Sequence, residues 1–233
     1  MKKPNTTLFM LSSIDGKIST GNNDNRDTDL DFHRIKGVME GLQQYYDLEK
    51  ETDLHSLNTG KVMVKIGINK KEVFKNMNFM NFIIIDNNHL EKSGIENLSN
   101  NLKKLYLITS NKNHPAFDCK NKNLEIIFYE NNINFQDLFL KFKEKYKIQS
   151  ITIQSGGTMN SILLREKLID KISIVYAPVL IGGINTPTLI DGNTLISYED
   201  LKYIKALKLT KVNQLKNSYL HLQYDVINDT EFK

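Results

Sequence analysis

A single cysteine, Cys119, is all that the 233 residues contain, and a lone thiol excludes an internal disulfide and a cysteine-based metal site. Its neighbours Asp118 and Lys120 suggest a polar loop with no base at hand, which is not the setting of an activated thiolate. Only four prolines occur, and no proline-rich or glycine-serine stretch and no repeat divides the chain. The expectation is one domain over 1–233 with a polar tail at 228–233. No apolar run approaches a membrane span, and Met1-Lys2-Lys3-Pro4 lacks the apolar heart of a signal peptide, so a cytoplasmic protein without a membrane partner is expected. His33, His55, His89, His114 and His221 are scattered, with no pair four residues apart, and no metal site is expected. Neither the G-x-G-x-x-G fingerprint nor the G-x-x-x-x-G-K-[ST] loop is present.

What is present is an ordinary globular mixture. Hydrophobic residues make up 40% and charged residues 25%, far from the composition of disordered chains. Lysine plus arginine is 31 against 27 for aspartate plus glutamate, a net +4 that is spread along the chain rather than gathered, so no nucleic-acid partner is expected. Strand-like runs recur at 6–11, 62–66, 82–86, 105–109, 124–129, 150–154, 171–178, 207–214 and 219–227, several of them continuously apolar as in strands buried on both faces.

Helical spacing is clearest in Phe135, Leu138, Phe139, Phe142 and Tyr146 behind Asn134 as N-cap. A second pattern, Phe32, Ile35, Met39, Leu42 and Tyr46, reads as one helix, with Tyr45 and Tyr46 on its apolar side, and a third starts at Thr158. Alternation of strands and helices predicts an α/β fold, a mixed and mostly parallel sheet flanked by helices. Lys216-Asn217-Ser218 between two alternating runs predicts a C-terminal antiparallel hairpin.

Three segments carry chemistry. Ser150 to Asn160 is a buried strand that runs into Gly156-Gly157 and straight into a helix, where free N–H groups and the positive dipole end favour a phosphate. Read alone, the same residues also suit a plain strand-to-helix turn. Pro178 to Gly183 ends a strand in a second glycine pair, followed by the turn Thr186-Pro187-Thr188, and such loops line ligand crevices in open α/β sheets. Leu11-Ser12-Ser13-Ile14-Asp15-Gly16-Lys17-Ile18 leaves the first strand with hydroxyls, an acid and a base in one short stretch.

Together, Ser-Ile-Asp-Gly-Lys at the first strand exit, the late strand-Gly-Gly-helix and the Pro-x-x-x-Gly-Gly loop resemble the pyrimidine reductase domain of riboflavin biosynthesis, with its dihydrofolate-reductase-like fold. The resemblance implies reduction with NADPH, whose pyrophosphate Gly156, Gly157, Thr158, Met159 and Asn160 would hold. It places Ser12 and Ser13 near the nicotinamide, and Asn87, Thr109 and Ser110 near the adenosine ribose. Lys17, Gln154, Gly182 and Gly183 fall at substrate positions, and a homodimer is implied, with the C-terminal hairpin as its exposed candidate surface. Asp15 or Lys17 is the nearest candidate for proton relay or substrate polarisation. Two segments depart from the family: the tract 45–62 stands where a substrate-phosphate segment is expected, and Gln154 replaces a glutamate. No zinc deaminase motif accompanies the reductase-like part. The expected activity is hydride transfer to a C=N or C=O bond of a small heterocyclic or sugar-like molecule. The alternative is a non-catalytic nucleotide-binding module that kept the cofactor cleft, and His55, in the tract 45–62, reads as a solvated loop residue.

Overall fold

Apolar runs separated by amphipathic stretches form, in a computed structural model that describes residues 2–23, 25–70, 77–229 and 231, an alternating α/β chain. The strands are β1 Asn5–Ser13, β2 His55–Thr59, β3 Met77–Ile85, β4 Leu102–Thr109, β5 Leu124–Phe128, β6 Ser150–Ile153, β7 Lys171–Ala177, β8 Ala206–Gln214 and β9 Leu220–Ile227. The helices are α1 Thr28–Asp31, α2 Gln43–Glu49, α3 Gly60–Lys65, α4 Lys92–Asn101, α5 Phe135–Glu144 and α6 Gly157–Arg165. The chain divides into two compact units, the first made of Met1–Pro4 and Asp53–Ser155, the second of Asn5–Thr52 and Gly156–Lys233.

In the first unit the strands lie in the order β5-β4-β3-β2-β6, every neighbouring pair parallel. Ile84, Leu105 and Leu107 from the strands meet Ile95 and Leu98 of α4 and Met63 of α3 in one apolar cluster, the packing that makes a parallel sheet pay for its buried backbone. Helix α5 follows the spacing read from sequence: Asn134 accepts from the Asp137 N–H at 3.0 Å, and Phe135, Leu138, Phe139 and Phe142 are buried.

In the second unit β1 pairs with β7 in parallel, and β9 and then β8 add antiparallel. Asn217 and Ser218 adopt φ of 56° and 63°, the left-handed pair that a tight hairpin between right-twisted strands requires. Tyr219 is buried among Phe9, Phe32, Leu42, Tyr45 and Val175, and its hydroxyl donates to the Val38 carbonyl at 2.7 Å. A Cβ on Gly41 would collide with the Tyr219 ring. Leu207, Leu209 and Val212 of β8 are exposed. The mostly parallel α/β class with a terminal hairpin is therefore the one the sequence implied. Among the described residues no helix is long and apolar enough to cross a membrane.

Three elements differ from expectation. Residues 62–66, expected as a strand, belong to helix α3 and its cap, and the strand is the polar stretch just before them, β2. The helix expected from Phe32 to Tyr46 is broken: α1 passes into a short 3-10 turn, Gly37 takes φ +89°, and only Gln43–Glu49 is α-helical at its end. Helix α4, rich in asparagine with only Ile95 and Leu98 as large apolar residues, carried too little periodicity to be seen.

His221 on β9 is buried, its Nε2 lying 2.7 Å from Ser173 Oγ and its Nδ1 3.5 Å from Asn213 Nδ2. Burial, aided by Lys211 and opposed by Glu51, lowers its pKa from 6.5. A histidine held neutral in the fold costs stability once the unfolded chain protonates, so the loss begins below pH 6.5 and continues down to the folded value. We expect melting temperature to fall more steeply with acidification below that point in the native protein than in His221→Gln. The slope for one group is at most about 1.4 kcal/mol per pH unit. Equal slopes in the two proteins would remove His221 from the effect.

Candidate functional site

Helix α6 starts without a cap. Gly156 is its N-cap residue with φ −72° and ψ 158°, and as a glycine it gives the first turn no side-chain cap. The first N–H groups of such a helix have no carbonyl partner within it, which makes an uncapped glycine start a natural place for an anion. The two glycines differ. A Cβ on Gly156 would meet nothing within 4 Å, whereas one on Gly157 would overlap the Thr188 carbonyl oxygen and the Asp191 carboxylate. Gly156 therefore faces open space and Gly157 faces the protein's own segment 188–191. Thr158 is exposed and Met159 half-buried. Asn160 is fully buried, and its Nδ2 donates to the Leu189 carbonyl at 2.9 Å.

The first-strand exit and the second glycine pair form one clamp within the same unit. The Asp15 carboxylate accepts from Ser13 Oγ at 2.6 Å, from the Gly182 N–H at 2.6 Å and from the Ile181 N–H at 3.1 Å. These bonds, led by Ser13, hold its pKa at about 2. Two residues on, Lys17 Nζ donates to the carbonyl oxygens of Gly183 at 2.8 Å and Thr186 at 3.0 Å. The acid thus takes the loop's donors and the lysine its acceptors, around Gly182 and Gly183 with φ of 71° and 83°, values that favour glycine. Ser12 and Ser13 are buried and spend their hydroxyls within this turn, on the Ser13 carbonyl at 3.0 Å and on Asp15.

Segment 186–191 ties these parts together. Ile18 N–H donates to the Pro187 carbonyl at 3.1 Å, Leu189 N–H to that of Gly16 at 3.0 Å, and Asp191 N–H to that of Gly157 at 3.0 Å. So the three segments picked out in the sequence, as far as they lie in the second unit, converge. The connector between them was missed beyond its Thr-Pro-Thr turn, because Thr188 to Asp191 carries no motif of its own.

The remaining expected residues lie in the first unit. At the ends of β3 and β4, Asn87 Oδ1 accepts from Thr109 Oγ1 at 2.9 Å and from the Ser110 N–H at 2.8 Å, while Asn111 Nδ2 donates to the Asn87 carbonyl at 2.7 Å. The preceding Asp86 turns inward. Burial pushes its pKa up, but hydrogen bonds from His114, Leu90 and His89 prevail and hold it at about 2. Gln154 Oε1 accepts from Ser56 Oγ at 3.0 Å, and Ser56 Oγ accepts from Asn58 Nδ2 at 3.1 Å, a neutral polar row on β2 and just beyond β6. His55, expected in a solvated loop, sits half-buried on β2 with its Nε2 3.1 Å from Asn81 Nδ2. Cys119 is likewise not in open loop: it packs against the apolar cluster, and burial raises its pKa. Among the described residues no group of three His, Cys, Asp or Glu side chains could hold a metal ion.

Residues 4–221 match the model of the RibD C-terminal domain. The chain is 27% identical over 93 residues to a 2,5-diamino-6-ribosylamino-4(3H)-pyrimidinone 5′-phosphate reductase of Archaeoglobus fulgidus, covering 40% of this chain and 38% of the relative. It is 28% identical over 81 residues to the Aquifex aeolicus protein of the same name, covering 35% and 34%. These matches span little more than a third of each relative. Among solved structures, Acinetobacter baumannii RibD superposes with a TM-score of 0.67 at 14% identity over 97% of this chain and 59% of that one. A pyrimidine reductase-like protein from Corynebacterium diphtheriae gives 0.63 at 14% over 98% and 94%. At such identities the likeness is one of fold.

Proposed function

Because the chain belongs to the RibD C-terminal domain family, we propose that it is a nicotinamide-dependent reductase that uses NADPH. Its substrate is a ribosylamino-pyrimidinone of the kind its curated relatives are named for. The observation that carries this reading is the uncapped start of α6, with Gly156 open on one side and Gly157 closed on the other. Backbone N–H groups of Gly157, Thr158 and Met159 hold the pyrophosphate there, and Asn160 braces the turn through Leu189. When bound, the nicotinamide supplies the hydride.

The preference for NADPH over NADH is supported at the end of β3. Sites for the unphosphorylated ribose commonly offer a carboxylate to its 2′-hydroxyl. Here Asp86 is buried and engaged by His114 at 3.0 Å and His89 at 2.8 Å, and the side chains beside it, Asn87, Thr109 and Ser110, are neutral. In the second unit Asp15 is an ionised clamp that fixes the Gly182-Gly183 loop, so it stores no proton near neutral pH. The ammonium of Lys17, on the other side of that loop, polarises the acceptor bond. The chain's part is to align, to exclude water and to hold charge, and a water can deliver the proton.

The test is NADPH consumption by the purified protein with 2,5-diamino-6-ribosylamino-4(3H)-pyrimidinone 5′-phosphate and with its dephosphorylated form. Substrate-dependent loss of NADPH absorbance, much slower with NADH, is expected. Saturable NADPH binding with no turnover of either compound would favour a nucleotide-binding module. Absence of binding would end both readings.

A further inference from the structure

We propose that Asp191 sets how tightly the α6 turn holds its anionic cofactor, by fixing a negative charge beside it; this rests on the cofactor assignment above. The residue is tied to the turn through its backbone, Asp191 N–H donating to the Gly157 carbonyl at 3.0 Å. Its carboxylate lies against the same glycine: a Cβ there would overlap Oδ2 and stand 2.8 Å from Cγ. Thr188 holds the carboxylate in this pose, with Oγ1 2.6 Å from Oδ1 and the backbone N–H 3.2 Å and 3.3 Å from the two oxygens. Yet the N-cap Gly156 gives α6 no side-chain cap, and the carboxylate is taken up by Thr188, so the charge stands at the side of the helix start. Arg165, at the far end of α6, is committed elsewhere, to the Asn193 carbonyl at 2.6 Å and over the Tyr203 ring at 5.3 Å.

A carboxylate beside a helix N-terminus is attracted to it, and a diphosphate bound there is repelled by the carboxylate. At a partly solvated distance of several ångströms that repulsion is worth about a five- to tenfold loss of affinity. Such a loss is useful where departure of spent cofactor limits turnover, which lid and release steps often do. Asp191 thereby works as a built-in brake on cofactor residence, acting through charge and not through contact.

Cofactor-fluorescence titrations with NADPH, each paired with a melting curve, test this on the full chain. Asp191→Asn keeps an acceptor for Thr188 and removes the charge. It is expected to bind NADPH about five- to tenfold more tightly, the advantage shrinking as added salt screens the pair. Thr188→Val, which removes the hydroxyl and keeps the charge, is expected to show no gain. Should Asp191→Asn melt far below the native protein, Asp191→Ser replaces it with the same expectation. Unchanged or weaker binding in the charge-free variant would overturn the proposal, since a purely structural Asp191 could not tighten binding when removed. Equal tightening in Thr188→Val would overturn it too, pointing to a loosened segment. If the native protein itself fails to bind NADPH, the cofactor assignment falls and this inference with it.

Discussion

Replacing Gly156 with aspartate is expected to raise the melting temperature and to weaken NADPH binding by at least about 100-fold, opposite signs from one substitution. The backbone at Gly156, φ −72° and ψ 158°, already has the extended form that aspartate and serine caps adopt, and the space beyond it is empty of protein. An aspartate there accepts from the N–H groups of the first turn, adds a favourable charge at the dipole's positive end and stiffens the unfolded chain relative to glycine. These effects sum to about 1 kcal/mol, or roughly 2–4 °C in a protein of this size. The same carboxylate occupies the N–H groups assigned to the pyrophosphate and repels it. Thermal shift and cofactor titration on one preparation read both effects. A higher melting temperature with unchanged NADPH affinity would move the pyrophosphate away from α6. Gly157 is the poorer probe, because a side chain there strikes Thr188 and Asp191 and a lost affinity would only report damage to the turn.

Asp86→Ala is expected to cost about 3–5 kcal/mol of stability. The carboxylate accepts from His114 Nε2 at 3.0 Å, His89 Nδ1 at 2.8 Å, the Leu90 N–H at 2.8 Å and the His89 N–H at 3.1 Å. His114 Nδ1 in turn accepts from the Ala116 N–H at 3.2 Å. Truncation leaves the buried His114 Nε2 and Leu90 N–H with nothing to receive them, while the half-exposed His89 can turn to water, whereas Asp86→Asn keeps an acceptor and is expected to cost distinctly less. Urea unfolding of the three proteins separates these cases, and an alanine variant within about 1 kcal/mol of the native protein would show that relaxation or water replaces the carboxylate. Its acid behaviour follows from the held pKa. Stability owed to the ionised Asp86 is intact above 3.8 and is lost as pH falls from there towards about 2.

The sequence was most informative where one physical demand ruled the residue choice. Strands buried on both faces must be apolar, so β3, β4, β6 and β7 stood out, and the Asn217-Ser218 turn was legible because a tight hairpin needs left-handed backbone. Strand β2 was invisible for the converse reason: His55, Ser56 and Asn58 are polar and are tolerated in the sheet only because Asn81 and Gln154 complete their hydrogen bonds. The β-branched run 62–66 imitated a strand, and its helical state is set by packing of Val62, Met63 and Val64 against the apolar cluster, which no local preference reports. The glycine pairs and Asp15-Gly16-Lys17 were legible as segments, but the contacts that join them were not. That Asp15 and Lys17 grip opposite sides of the Gly182-Gly183 loop, 166 residues on in each bond, depends on a contact between distant segments.

The division of the chain has a consequence for the order in which the molecule assembles. Nearly all of the first unit is one continuous stretch, Asp53–Ser155, in which β2, β3, β4 and β5 pair in sequence order and only β6 returns to β2 from further on. The second is split by it, and within that unit β1 pairs with β7 across the whole intervening stretch, Thr7 with Lys171. Closing so long a loop is entropically costly and slow. A nascent chain therefore carries an unmatched first strand, and the Ser-Ile-Asp-Gly-Lys turn behind it, through most of its synthesis, and the clamp on the Gly182-Gly183 loop is among the last contacts to form.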